Sequence, residues 1–270
     1  MFSVKSLFIA AAAAMLSTAA FGADMPMPQP VYQPAPEPCC ASGWYLRGDV
    51  GIGINNKLSI TYLPSPPDVG NGFAFDQHSE ADTTFFDVGA GYEVNNWLRL
   101  DATATYRDRT QVNARGVFNP VTGAGDAYQG YLKSWVFLAN AYVDLGTWDC
   151  ITPFIGAGVG TAYNQMADLV DMGIGTTGAG FGRNSTNWSL AYAFYAGLDY
   201  AVTRNFSMEL AYRYLNYGSV TDTIDCVGGC TPDSYKFSNF SSNDIMLGMR
   251  WKFPVDTGFA PPPPPLQTRG

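Results

Sequence analysis

The stretch from Ser242 to Phe253 constrains the fold more than any other part of this chain. Every second residue is large and apolar, and the residues between include three charges and a glycine. The apolar set is Ile245, Leu247, Met249, Trp251 and Phe253. A period of two predicts a β-strand with one apolar and one polar face. Because the polar face mixes opposite charges and the apolar face ends in aromatic residues, the pattern favours a lipid-facing wall around a polar lumen.

Seven earlier segments repeat this alternation, and most have the length of about ten residues that a tilted membrane strand needs. They are residues 44–54, 86–94, 98–107, 131–145, 155–160, 190–199 and 206–214. The connections between them alternate long and short, as surface loops and periplasmic turns do in bacterial barrels. We therefore predict an all-β fold, an eight-stranded antiparallel transmembrane β-barrel of the outer membrane over residues 43–253, with four long loops outside.

Large aromatic residues stand at both ends of these strands. Trp44, Trp97, Tyr200 and Trp251 fall on the turn side, and Tyr106, Trp135, Trp188 and Tyr214 fall on the loop side. Two aromatic girdles, one at each membrane–water interface, are typical of transmembrane barrels. A single interior band would instead indicate a soluble core.

The two ends of the chain differ in composition from the rest. Residues 1–23 combine Lys5, an apolar run and the small-x-small sequence 20–22, which predicts a cleaved signal peptide. Residues 24–42 predict a proline-rich periplasmic leader, and residues 254–270 a proline-rich tail. No other stretch is apolar enough for a membrane-spanning helix. The net charge of −8, without a Lys/Arg cluster, argues against nucleic acid as a partner.

Four short segments carry a more specific signal: GWYLRGD (43–49), DVGAGY (87–92), PFIGAG (153–158) and AYRY (211–214). Together they resemble the OmpA-type family of eight-stranded outer-membrane β-barrels, especially its small opacity-like and surface-antigen-like members. The resemblance covers residues 43–253 and implies a place in the Gram-negative outer membrane, in contact with its lipid and lipopolysaccharide. It also implies insertion by the barrel-assembly machinery, which would read Trp251 and Phe253 as the closing-strand signal. The family has no catalytic motif, so the resemblance implies no enzyme activity and no cofactor.

Charged residues on the polar strand faces point into the predicted lumen. Both signs are present, which favours a network of ion pairs over a selective pore. The set is Arg47, Asp49, Asp87, Glu93, Arg99, Asp101, Arg107, Asp199, Glu209, Arg213, Asp244, Arg250 and Lys252. Because closure makes the first and eighth strands neighbours, we expect Asp49 to pair with Arg250 or Lys252.

Two motifs associated with cofactors or catalysis lack the context that they need. Residues 173–178 match the dinucleotide-binding fingerprint, but no strand precedes them and no helix follows them. His78, Ser79 and Glu80 are residue types used by barrels that modify lipid A, yet adjacent residues on one strand point to opposite faces. A lone histidine also gives no basis for a metal or haem site.

Five cysteines in an exported chain predict disulfides. Cys226 and Cys230 flank three residues of the fourth loop and are expected to close its tip. Cys39 or Cys40 is a candidate partner for Cys150, which leaves one thiol over.

These observations favour a structural protein that supports envelope integrity and presents four surface loops. An adhesin or host-factor receptor is the alternative, followed by a small porin or a lipid-modifying enzyme. Ordered loop tips would favour binding, a continuous water path a pore, and a His-Ser-acid cluster an enzyme. The loops carry more acidic than basic residues, so we expect them to repel anions and to attract cations or basic partners.

Overall fold

The computed structural model describes residues 43–63, 74–119, 121–175, 178–227 and 232–253, and it describes only the backbone of residues 74–78, 118 and 119. The predicted signal peptide, leader and tail lie outside these ranges and stay predictions. Within the described residues, no helix is long and apolar enough to cross a membrane.

Eight antiparallel strands form a closed ring, which confirms the predicted fold. Each ring strand pairs with the next ring strand along the chain, and the last one returns to pair with the first. The ring strands are β1 (Gly43–Asn55), β4 (Thr83–Glu93), β5 (Leu98–Asn119), β6 (Ala124–Asp144), β7 (Ile151–Ile174), β9 (Thr186–Ala201), β10 (Phe206–Cys226) and β11 (Asp233–Lys252). Short turns join β4 to β5, β6 to β7 and β9 to β10 at one end of the ring, as predicted for the periplasmic side.

Successive side chains of each strand point alternately to the outside and to the inside of this ring. Leu210 and Leu247 are partners across β10 and β11, and they are 55% and 50% exposed on the outer face. Arg213 and Asp244, partners further along the same strands, are fully buried in the lumen. An apolar outer face and a polar inner face fit a ring that stands in hydrocarbon.

Aromatic side chains cluster at both ends of the outer face. At the end away from the short turns, Tyr106 packs against Phe86 and Trp135, with ring centroids 5.5 and 4.9 Å apart. At the turn end, Trp44 packs against Tyr92 at 5.3 Å. We call the ring between these two clusters the membrane barrel.

The described residues of the four long connections are mostly strand, so the prediction that these segments are loops is wrong. Ring strands β5, β6, β7, β10 and β11 continue beyond the outer aromatic cluster. Three further strands join them there: β2 (Ser59–Leu63) on β11, β3 (Ala74–Glu80) on β5, and β8 (Ala179–Gly182) between β7 and β10. We call the described residues within 56–82, 108–133, 164–187 and 215–241 the extension.

Alternation in the extension is the reverse of that in the membrane barrel. Val112 and Leu132 face inward and are almost completely buried, whereas Gln129 and Lys236 are exposed on the outer face. Its interior is an apolar core of Val112, Leu132, Met166, Leu169, Leu215, Val220, Phe237 and Phe240. Apolar side chains turn inward here because water, and not lipid, lies outside.

β-Bulges mark the change from the membrane barrel to the extension. The pairing register shifts on β5 between Arg107 and Thr110, and on β10 at Gly218. Gly218 has a φ of +90°, and a Cβ built there would lie 2.2 Å from the Cβ of Ser189, so only glycine fits. Bulges bend a strand and increase its twist, which re-aims these strands where they leave the membrane barrel.

Candidate functional site

Many charged side chains lie in the lumen of the membrane barrel, beside buried apolar ones such as Leu138, Phe154 and Met246. The structure buries these sequence-predicted residues there: Arg47, Asp49, Asp87, Glu93, Arg99, Asp101, Arg107, Asp199, Glu209, Arg213, Asp244 and Arg250. Lys252 is partly exposed at the turn end, while Trp251 and Phe253 face outward at the end of β11. The role of these two aromatic residues in assembly stays a prediction.

An arginine-centred cluster occupies the periplasmic half of this lumen. Arg47 lies 2.9 Å from Asp49, 3.1 Å from Asp101 and 3.3 Å from Glu209. Arg99 on β5 lies 2.9 Å from Glu209 on β10. Because β5 and β10 stand on opposite sides of the eight-stranded ring, the Arg99–Glu209 pair spans the lumen.

Asp49 pairs with Arg47 and not with Arg250 or Lys252, so that expectation is wrong. Residues two apart on a strand share a face, which lets the long Arg47 side chain reach Asp49. On β11 the residue opposite Asp49 is Gly248, which offers no side chain. The other pairs at this level are Arg250 with Glu93, Asp199 and Glu209, Lys252 with Glu93, and Arg99 with Asp144.

A second cluster lies next to the outer aromatic residues. Arg213 is 3.0 Å from Asp87 and 2.8 Å from Asp244, and Arg107 is 3.0 Å from Asp244. The Thr105 hydroxyl donates a hydrogen bond to Asp87 at 2.7 Å. These contacts join β4, β5, β10 and β11 through the lumen.

Hydrogen bonds continue from this cluster into the extension. Arg107 donates to Asn55 Oδ1 at 3.3 Å, and the Tyr217 hydroxyl donates to Glu80 Oε1 at 2.9 Å. Burial raises the pKa of Glu80 to about 7. Sequence reasoning missed Tyr217 and the inward position of Glu80 because it assigned both residues to loops.

The extracellular end of the interior carries a different group of side chains. Tyr128 and Tyr235 meet across it, where the Tyr128 hydroxyl donates to the Tyr235 hydroxyl at 3.0 Å. Burial raises the pKa of Asp171 to about 7, and the negative charges of Asp126 and Asp233 add to the rise. We call the following set the acidic mouth: Tyr62, Tyr128, Tyr235, Asp126, Asp171 and Asp233.

A strand does precede the glycine-rich motif at residues 173–178, because β7 runs to Ile174, so that part of the sequence interpretation is wrong. The element that follows is the strand β8 and not a helix. Gly173 donates its backbone N–H to the carbonyl of Gly178 at 2.9 Å, and β7 pairs antiparallel with β8. Ser79 is exposed, while Glu80 is bonded to Tyr217. The side chain of His78 lies outside the described atoms. Among the described residues, no group of three His, Cys, Asp or Glu side chains is placed to hold a metal ion.

The cysteine predictions fall partly outside the described ranges. Cys226 ends β10, but Cys230 is not described, so the disulfide between them stays a prediction. Cys150 is an exposed free thiol in the structure, and its candidate partners Cys39 and Cys40 are not described.

Comparison with known proteins agrees with this architecture. The family model for an outer membrane protein β-barrel domain matches residues 6–253. An uncharacterized protein of Brucella abortus is 30% identical, over 87% of this chain and 93% of that protein. Outer membrane protein PagN of Salmonella typhimurium is 28% identical, over 78% of this chain and 90% of that protein. The crystal structure of the outer membrane protein OprG from Pseudomonas aeruginosa superposes with a TM-score of 0.53 at 12% identity, covering 80% of this chain and 97% of that one, which shows a shared fold. The chain belongs to the outer membrane β-barrel family, and it is a protein of the Gram-negative outer membrane.

Proposed function

We propose that this protein is a closed, non-conducting barrel that supports the envelope and holds the extension above the membrane. The observation that carries the proposal is the set of ion pairs between distant walls of the lumen. Arg99 reaches Glu209 from β5 to β10, and Arg213 reaches Asp87 from β10 to β4. Charges paired in this way fill the cross-section and hold its walls together, whereas a lone charge there would be costly.

Single-channel recording in planar bilayers tests the closed lumen. The wild-type protein should show no steady conductance at moderate voltage. The double variant Arg99→Ala/Glu209→Ala, which removes the side chains that span the lumen, should conduct and so serves as the positive control. Steady wild-type openings of the same size as those of the variant would show a small porin instead.

The proposal includes no catalytic activity. Two residues of the triplet, Ser79 and Glu80, do not converge, because Ser79 is exposed and Glu80 binds Tyr217 inside the extension. Incubating the reconstituted protein with lipid A and analysing the lipid by mass spectrometry checks this part. A modified lipid that forms only when the protein is present would contradict the absence of catalytic activity.

A second candidate function, contact with another macromolecule, is favoured by apolar side chains at the tips of the extension. These side chains are exposed although no lipid surrounds them: Leu63, Val121, Met172, Phe181 and Val227. Exposed apolar residues grouped at one end of a molecule mark interaction sites. The strands that carry these side chains pack around an apolar core.

Adhesion of bacteria that display the protein tests this second function. Cells carrying the triple variant Val121→Ser/Met172→Ser/Phe181→Ser should be retained on host-cell monolayers less than cells carrying the wild type. A matched control, Gln129→Asn, changes an exposed polar residue on the outer wall of the extension and should leave retention unchanged. Equal retention of cells that carry the wild type, the triple variant and the control would show that the apolar tips do not contribute to adhesion.

A further inference from the structure

One side of the extension carries lysine and hydroxyl side chains on its outer face. Thr221, Lys236 and Thr61 lie side by side in one row across β10, β11 and β2, and all three are exposed. Ser238 and Ser59 form the next pair toward the membrane. We call the following set the lysine face: Lys57, Ser59, Thr61, Thr221, Lys236 and Ser238.

The positive charge of the lysine face is not balanced by the described residues around it. Lys57 and Lys236 are exposed and form no ion pair with a described residue. The outer face of β10, β11 and β2 carries one described carboxylate, Asp225, and Arg183 donates to both of its oxygens at 2.8 and 2.6 Å. The face is therefore positive on a chain whose net charge is −8.

The hydroxyl groups beside Lys236 are also available to a ligand. Those of Thr61 and Thr221 make no hydrogen bond to a described residue. A hydroxyl group both donates and accepts hydrogen bonds, as the hydroxyl groups of a sugar do. An ammonium group between two such hydroxyls suits a sugar that carries an anionic substituent.

The lysine face continues the lipid-facing wall of the membrane barrel outward. Ile54 on β1 and Ile245 on β11 are 51% and 58% exposed on that wall. Lys57 follows Ile54 by three residues, and Lys236 precedes Ile245 by nine. From the rise of a tilted strand, Lys57 lies roughly 8 Å and Lys236 roughly 20 Å farther out than these isoleucines. The two lysines thus lie just above the lipid, at two different heights.

The molecules that surround the barrel at these heights carry matching charge. Lipopolysaccharide forms the outer leaflet of a Gram-negative outer membrane, and its inner sugars carry phosphate groups. We propose that the lysine face binds the phosphorylated inner saccharide of neighbouring lipopolysaccharide, with Lys57 on a phosphate next to the lipid and Lys236 on one farther out. This contact goes beyond the proposed function, because neither the closed lumen nor the apolar tips require it.

Titration calorimetry on the full chain in phosphatidylcholine nanodiscs tests the face. The probe is deacylated lipopolysaccharide that retains its phosphate groups, at low and constant ionic strength without divalent cations. The probe should bind the wild type, and the variant Lys57→Gln/Lys236→Gln should bind it about fivefold more weakly, because each exposed ion pair contributes little. Lys57→Arg/Lys236→Arg keeps both charges and should retain binding.

A control with the same change in net charge separates the face from general charge attraction. Arg109→Gln/Lys133→Gln removes two cations from the opposite wall of the extension, on β5 and β6, where Arg109 pairs with Asp168. This variant should bind the probe like the wild type. An equal loss of binding in both Gln variants would overturn the proposal.

Two further probes identify the anion. The same saccharide after removal of its phosphate groups should bind the wild type about fivefold more weakly than the intact probe. A heparin fragment of similar size tests sulfate in place of phosphate. Absence of binding to the wild type, equal binding of the dephosphorylated saccharide, or tighter binding of the heparin fragment would each overturn the proposal. Any of these failures would leave the closed lumen and the apolar tips standing, because conductance and the adhesion of the tip variant do not depend on these lysines.

Discussion

The membrane barrel and the extension are built from the same strands, but most of the buried charges lie in the membrane barrel. On β10, Glu209 and Arg213 face inward within the membrane barrel, whereas Leu215, Val220 and Ile224 face inward within the extension. The outer face changes in the opposite sense, from the exposed Leu210 to polar residues such as Gln129 on β6. The strands stay continuous through the change, so the medium outside the wall decides what lies inside it.

The two interiors also treat charge differently. In the membrane barrel, the carboxylates of Asp87 and Asp244 lie 3.0 and 2.8 Å from the guanidinium group of Arg213. At the acidic mouth, Asp126, Asp171 and Asp233 have no such partner among the described residues. Arginines therefore balance the carboxylates of the lumen, whereas at the acidic mouth the donors are tyrosine hydroxyls, from Tyr62 to Asp233 and from Tyr128 to Asp126.

The largest expected effect comes from breaking an ion pair in the membrane barrel. Arg213→Met leaves Asp87 without its cation in a buried position and should destabilise the protein by about 3–5 kcal/mol. Urea unfolding in lipid vesicles measures the change.

The double variant Arg213→Met/Asp87→Asn should cost less than the sum of the single changes, because no unpaired charge remains. Arg183→Met, in the exposed Arg183–Asp225 pair of the extension, is the control and should have little effect. Strict additivity would show that Arg213 and Asp87 do not interact.

The second largest effect is expected from a charge on the outer face, which should destabilise the membrane barrel but not the extension. Leu210→Arg places a cation near the middle of the membrane and should cost about 2–4 kcal/mol. Gln129→Arg makes a comparable change on the outer face of the extension, where water solvates the charge, and should be nearly neutral. The same unfolding assay compares them. Equal effects would mean that lipid and water do not divide the wall where the aromatic cluster indicates.

The sequence was sufficient to predict the membrane barrel, and the reason is physical. Lipid outside and charge inside produce a strict alternation, so the positions of Leu210, Leu247 and Arg213 could be read directly. The extension was missed because its strands alternate with the reverse polarity. Val112 and Leu132 point inward there, and a search for apolar outward positions reads such segments as loops.

Individual contacts were harder to predict than the faces that make them. Alternation placed Asp49 and Arg250 in one lumen, but partner choice depends on register and on the reach of each side chain. Gly248 opposite Asp49, and Arg47 two residues away, decided that pairing. The acidic mouth could not be predicted from the sequence, because it brings together residues that are far apart along the chain and lie on strands that were not recognised.

Deleting a single methylene group should have a smaller effect, and the effect should differ between the core of the extension and the outer face of the membrane barrel. Ile224 is 3% exposed in the core of the extension, so Ile224→Val should leave a small cavity and cost about 0.5–1.5 kcal/mol. Ile245, 58% exposed on the outer face of the membrane barrel, is the matched control. Ile245→Val should change stability less, because lipid chains refill the space. A larger loss for Ile245→Val would contradict the assignment of an apolar core to the extension.

The smallest effect should be a dependence of stability on pH that arises at the acidic mouth. Burial, with the charges of Asp126 and Asp233, raises the pKa of Asp171 to about 7, whereas an unfolded aspartate has a pKa of about 3.9. The folded state therefore holds the proton more tightly, and the stability that this provides is present below about pH 4 and is lost as the pH rises through about 7. Asp171→Asn should flatten this decline in urea unfolding between about pH 4 and 7, whereas the control Asp225→Asn should keep it. Parallel pH profiles for wild type and Asp171→Asn would mean that Asp171 does not titrate in this range.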